Sequence, residues 1–91
     1  MLMSGLQEGW LKCEEVSSGM FPDEYAVQCT SADNGPFSFF INSDLVKKNE
    51  KLVKVYILDR NKDYCLIYLP DTPIEGLSRT IRVFGQYVLE L

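Results

Sequence analysis

Three cysteines, Cys13, Cys29 and Cys65, are the side chains best suited to covalent or metal chemistry in a chain of 91 residues that holds no histidine. A thiolate can attack, ligate a metal or cross-link, but each use needs partners at short range. The three are widely spaced, odd in number and outside any C-x-x-C pair. Without histidine a zinc site would need an unusual ligand set, so no metal and no cofactor are expected. The spacing fits a reducing compartment and buried free thiols, and a Cys13–Cys29 disulfide stays open only if the strands that carry them pair. All three lie in strand-like runs among apolar neighbours, where burial raises a thiol pKa and blunts reactivity.

Acid–base chemistry finds equally little. The commonest general base is missing, and no serine or cysteine stands in a nucleophile motif. The pairs Glu14-Glu15 and Asp23-Glu24 are neighbours on extended chain, where adjacent side chains point to opposite faces, so neither makes a carboxylate dyad. Asp33-Asn34-Gly35 lacks the alternating oxygen ligands and closing glutamate of a calcium loop. The glycines are isolated, so no phosphate cradle is present. No catalytic residue is expected, and the chain is read as non-enzymatic.

Charge argues against nucleic acid as the main partner. The net charge is −4, and phosphate binding draws its affinity from Lys and Arg. Lys47, Lys48, Lys51 and Lys54 form the one basic cluster, read first as a solvated linker and only secondarily as a weak nucleic-acid site. Phe37, Phe39 and Phe40 could stack bases, but with no basic groove beside them core packing is expected.

Apolar side chains in places that should be polar carry the remaining signal. The loop SSGMFPD holds Met20 and Phe21 between turn-forming residues. The loop LPDTPIEGLS holds Ile74 and Leu77. In DYCLIYL, Cys65, Ile67 and Leu69 share one face while Tyr64, Leu66 and Tyr68 share the other, so neither face is polar. These seven apolar residues, Met20, Phe21, Cys65, Ile67, Leu69, Ile74 and Leu77, are the candidate partner-binding set. For Met20 and Phe21 the competing reading is a plug that folds back onto one end of the core.

The elements that must position them read as strands. GWLKCEEV alternates as strand A; EYAVQC at 24–29 is strand B; FSFFI at 37–41 is strand C, entered through an Asn34-Gly35 turn. Asn42-Ser43-Asp44 then caps a single helical turn before Leu45 and Val46. The pattern restarts with LVKVYIL as strand A′, DYCLIYL as strand B′ and RTIRVF as strand C′, broken by Gly85-Gln86 before YVLEL. Laid over each other, Lys12 falls on Lys54, Tyr25 on Tyr64, Val27 on Leu66 and Leu45-Val46 on Val88-Leu89. The loops differ: the polar DRNKD stands where SSGMFPD stood.

The expected fold class is therefore all-β: a small six-stranded barrel or two-sheet sandwich, built from two pseudo-symmetric three-stranded units. Residues 1–91 make one domain, with a tail at 1–8, a first unit at 9–46 and a second at 52–91. The order and loop lengths also resemble those of the SH3-like barrels, the alternative arrangement, in which strand C′ would be an addition. No apolar run reaches the roughly 18 residues of a membrane span, and MLMSGLQEGW lacks the marks of a secretory signal, so cytoplasmic residence is expected.

The functional expectation is a non-catalytic interaction module that binds a protein partner, or itself as a homodimer, through the apolar loops and strand B′. The alternatives are a small-ligand binder or minor enzyme at the barrel mouth, with Tyr25, Tyr64 and Tyr68 as polar handles, and the lysine-cluster nucleic-acid binder.

Overall fold

Strict alternation decides which face of each strand meets the core, and it runs through most of the chain. The computed structural model describes residues 7–33, 35–70 and 78–90. They form β1 (Gln7–Lys12), β2 (Glu15–Ser18), β3 (Glu24–Ser31), β4 (Gly35–Asn42), β5 (Val46–Lys47), β6 (Leu52–Arg60), β7 (Tyr64–Tyr68), β8 (Thr80–Phe84) and β9 (Val88–Glu90). Two 3-10 turns, Ser43–Leu45 and Gly85–Tyr87, precede β5 and β9. The protein is all-β, with two antiparallel sheets in the orders β8-β7-β6-β1-β9 and β2-β3-β4, and with β5 also pairing to β6. Every second residue of β4 and β8 is buried, as period-2 geometry requires.

Strand A differs from its expected single run. It divides at Cys13 and Glu14, because the chain there changes partner: Cys13 N donates to Lys51 O (2.7 Å) in the large sheet, and Glu14 N donates to Gln28 O (2.8 Å) in the small one. Strand A thus serves both sheets, β1 against β6 and β2 against β3. Strand A′ stays within the large sheet: β6 pairs with β1 over Leu52–Ile57 and with β7 over Tyr56–Arg60, with a register shift between Ile57 and Asp59 on the β7 side.

The two halves of the chain pair by one rule. Leu11 lies opposite Val53 between β1 and β6, Val88 lies opposite Leu11, and Val46 lies opposite Val53. Residues 42 apart therefore play matching parts: Leu11 and Val53 at the centre, Val46 and Val88 in the closing strands, Ile41 and Val83 in strands C and C′. The turns obey it too, since Ser43 N donates to Asp23 O (2.8 Å) and Gly85 N donates to Asp63 O (2.9 Å). Strand B departs from the alignment expected from sequence. Tyr25 faces Ile41 while Cys65 faces Val83, so Tyr25 corresponds to Cys65 and Val27 to Ile67, one place from the expected match. The closing pair also shifts by one, Leu45-Val46 falling on Tyr87-Val88. Aligning by residue type favoured the shared tyrosine; the ladder is set by which residues face inward.

Between the sheets lies one hydrophobic cluster, with Phe37, Phe39, Cys65, Ile67 and Val83 all at 0–1% exposure. Phe37 and Phe39 stack on each other at 6.0 Å. Val16, Tyr25, Leu45, Val46 and Tyr87 pack around its margins. Gly9 marks the tightest approach, where a side-chain carbon would sit 2.8 Å from Ile57 Cδ1 and 2.9 Å from Leu89 O. No helix among the described residues is long and apolar enough to cross a membrane.

Candidate functional site

The loop joining β2 to β3 is held in shape by bonds within its own backbone and to Glu24. Gly19 N donates to Glu24 O (3.0 Å) and Glu24 N donates to Phe21 O (3.1 Å). Met20 N donates to the Glu24 carboxylate (3.0 Å). Glu24 thus grips the loop with its carbonyl, its amide and its side chain, while Asp23 O anchors the far side to Ser43 N. A side chain at position 19 would fall 2.9 Å from Glu24 O and from its carboxylate, which is why glycine starts the turn. Pro22 fixes the descent into Asp23.

Held this way, Met20 and Phe21 stand out from the surface at 74% and 63% exposure. They do not plug the core, whose margins Val16, Tyr25, Leu45, Val46 and Tyr87 already occupy. The other large exposed apolar residues among those described are less prominent and sit on strands: Leu58 on β6, Phe84 on β8 and Leu89 on β9. Sequence reasoning passed over these three. Leu58 takes the outward phase of β6, next to buried Ile57, and Phe84 rests against Tyr64 (5.8 Å) and Tyr87 (6.1 Å).

Strand B′ requires a correction. Cys65, Ile67 and Leu69, expected to cover a partner, are fully buried within the chain's own core. The small sheet covers that face, and the outer face is covered by cations. The Arg82 guanidinium lies 4.4 Å over the Tyr64 ring and Arg79 lies 4.6 Å over Tyr68. Arg82 also pairs with Asp33, which holds its charge more firmly. A strand with two apolar faces is thus satisfied by one chain. Ile74 and Leu77 lie outside the described residues.

The basic cluster is not an open linker. Lys47 belongs to β5, Lys54 to β6, and Lys51 takes a positive φ of 57° in the turn between those strands. Lys47 sits over Trp10 at 4.7 Å and Lys48 over Tyr25 at 5.5 Å. Lys54 pairs with Glu8 at 3.0 Å, and Lys51 Nζ donates to Glu14 O at 3.4 Å. Each cation therefore has an internal use. Phe37 and Phe39 are core residues, so the base-stacking platform does not form.

Among the described residues, shallow cavities of about 190, 150 and 170 Å³ indent the surface. All are smaller than the roughly 300 Å³ at which pockets for drug-sized ligands begin. Tyr64 lines the third, with Asp59, Arg60 and Arg82; Tyr25 and Tyr68 line none of them, so none of these cavities gathers the three tyrosines. The Cys29 thiol is held well above the ordinary cysteine range, first by its hydrogen bond with Cys13, then by burial and by the nearby Cys13 and Glu14 charges. Burial likewise pushes the Cys65 thiol up, against the opposing pull of Arg60. Among the described residues no group of three or more acidic, cysteine or histidine side chains is placed to hold a metal ion.

No protein-family model, curated protein or solved structure matches the chain.

Proposed function

We propose that the protein is a non-catalytic interaction module whose contact point is the β2–β3 tip, with Met20 and Phe21 as anchors for a protein partner. The observation that carries this reading is a contrast within the molecule. The tip from Gly19 to Glu24 and the tip from Asn61 to Tyr64 are closed by the same backbone bond, each 3.0 Å long. The first encloses two residues more, and Met20 and Phe21 are exposed there. Nothing in the shared frame requires them.

An exposed methionine and phenylalanine on a hydrogen-bonded loop are suited to binding. Burying each in a partner's pocket contributes about 1.5–3 kcal/mol, and a fixed loop loses little entropy in doing so. Asp23 and Glu24 flank the anchors, so a pocket with a basic rim fits best. A second copy of this chain, which carries the same net charge of −4, fits less well.

Capture from a cell extract by the wild-type protein, by Met20→Ser/Phe21→Ser and by Leu89→Ser tests this. The expected result is a set of proteins retained by wild type and Leu89→Ser and lost by the double variant, with all three chains melting alike. Equal capture by the double variant would refute the assignment of the tip. Concentration-dependent mass in sedimentation, abolished by the same double variant, would make the partner a second copy instead.

A further inference from the structure

The geometry points to Cys13 and Cys29 as a reversible dithiol–disulfide pair, oxidised by peroxide, that locks the corner where the first strand passes from one sheet to the other. Their Sγ atoms are 3.1 Å apart, both thiols are free, and the Cys29 thiol donates to Cys13 Sγ. Cys13 in turn donates to Leu11 O at 3.6 Å. The backbone on either side is pinned: Cys13 N is bonded to Lys51 O and Glu14 N to Gln28 O. The Thr30 hydroxyl donates to the Glu14 carboxylate at 2.6 Å, closing the same corner from β3. The two sulfurs are therefore held together by bonds from β3 and from the turn that precedes β6 rather than meeting by chance rotation.

Access is one-sided. Cys13 is 6% exposed and lines the 190 Å³ cavity together with Lys12, Glu14, Thr30 and Tyr87, whereas Cys29 is fully buried behind it. Hydrogen peroxide, a molecule close to water in size, fits that opening; a bulky disulfide such as oxidised glutathione fits poorly. Attack of Cys13 sulfur on peroxide breaks the O–O bond and gives the Cys13 sulfenic acid and one water. Cys29 sulfur then displaces the hydroxyl, which leaves with the Cys29 proton as a second water. Overall, two thiols are oxidised to one disulfide while one peroxide is reduced to two waters, and a dithiol reductant reverses the change.

The bond would close a loop at the open end of the β2–β3 hairpin, whose tip carries Met20 and Phe21. A cross-link over a loop of this length constrains the unfolded chain enough to raise the melting temperature by on the order of 10 °C.

The wild-type chain itself provides the test. After hydrogen peroxide treatment and alkylation, peptide mass mapping without reductant is expected to show Cys13 joined to Cys29, with Cys65 alkylated and the melting temperature raised until dithiothreitol is added. Cys65→Ser should behave identically, and Cys13→Ala should lose the link. Three alkylated cysteines, a link to Cys65, over-oxidised Cys13 without a link, or a linked chain that melts no higher than the reduced one would each overturn the inference. Because the decisive map uses unaltered protein, a variant that folds poorly does not blur it.

Discussion

Two hairpin tips occupy matching places in this molecule and hold different contents. In the second, Asn61 Oδ1 accepts from the backbone N–H of Asp63 (2.9 Å) and of Tyr64 (2.8 Å), so a polar side chain completes the turn and every residue from Asn61 to Asp63 is exposed. In the first, Glu24 performs the closure, Gly19 replaces Asn61, and two extra residues make room for Met20 and Phe21. Both tips are tied to a following 3-10 turn by the same bond, Asp23 O to Ser43 N and Asp63 O to Gly85 N. One tip shows what the scaffold needs; the other shows what has been added to it. The addition is apolar and solvent-facing, which is where binding is to be sought.

The comparison assumes that the scaffold beneath both tips is independent of what they carry, and the largest effect should come from breaking that scaffold. Phe39→Ala removes a fully buried ring from the cluster shared by the two sheets, and urea unfolding should show a loss of about 3–5 kcal/mol. Next comes the frame of the first tip alone. Gly19→Ala puts a methyl group 2.9 Å from Glu24 O and should cost about 1–3 kcal/mol. Nuclear magnetic resonance shifts should then change around residues 18–25 and 43 but not around the second tip.

The buried thiols add a dependence on pH. Cys29, in the first unit, has its folded pKa raised above the ordinary thiol value by its hydrogen bond with Cys13 and by burial. Below that value both folded and unfolded chains keep the proton, and its stability contribution is intact. Above it the unfolded chain releases the proton while the folded chain holds it, so stability falls as pH rises. Cys29→Ala, compared with itself across the same range, should show a shallower alkaline decline in denaturant melts; an unchanged slope would show that Cys29 does not titrate on unfolding. The smallest effect belongs to the added residues. Met20→Ser/Phe21→Ser should shift unfolding by under about 0.5 kcal/mol, since both side chains are exposed in the folded chain.

Much of this architecture was legible in sequence because alternation reports which face is buried. The strands around Phe37, Val55 and Val83 follow from it directly, as does the polar character of DRNKD against SSGMFPD. What sequence could not supply was cover. Cys65, Ile67 and Leu69 looked surplus because alternation counts apolar residues but says nothing of which sheet lies above them, and Tyr64 and Tyr68 looked uncovered because Arg79 and Arg82 come from a different strand. The division of strand A at Cys13 was likewise hidden, since a strand that changes partners keeps its alternation. Glu24 was visible only as half of a carboxylate pair. Its role as the clamp of the tip depends on a turn that brings its carboxylate back to Met20 N.

The central claim, that the first tip is an added contact point on a scaffold that does not need it, is tested most directly by exchange. Residues 19–23 are replaced by the Asn-Lys-Asp of the second tip, and the proteins retained from extract are compared with those retained by wild type. The exchanged chain is expected to melt within a few degrees of wild type and to retain none of the wild-type partners. A chain that fails to fold, or one that folds and still captures the same proteins, would contradict it.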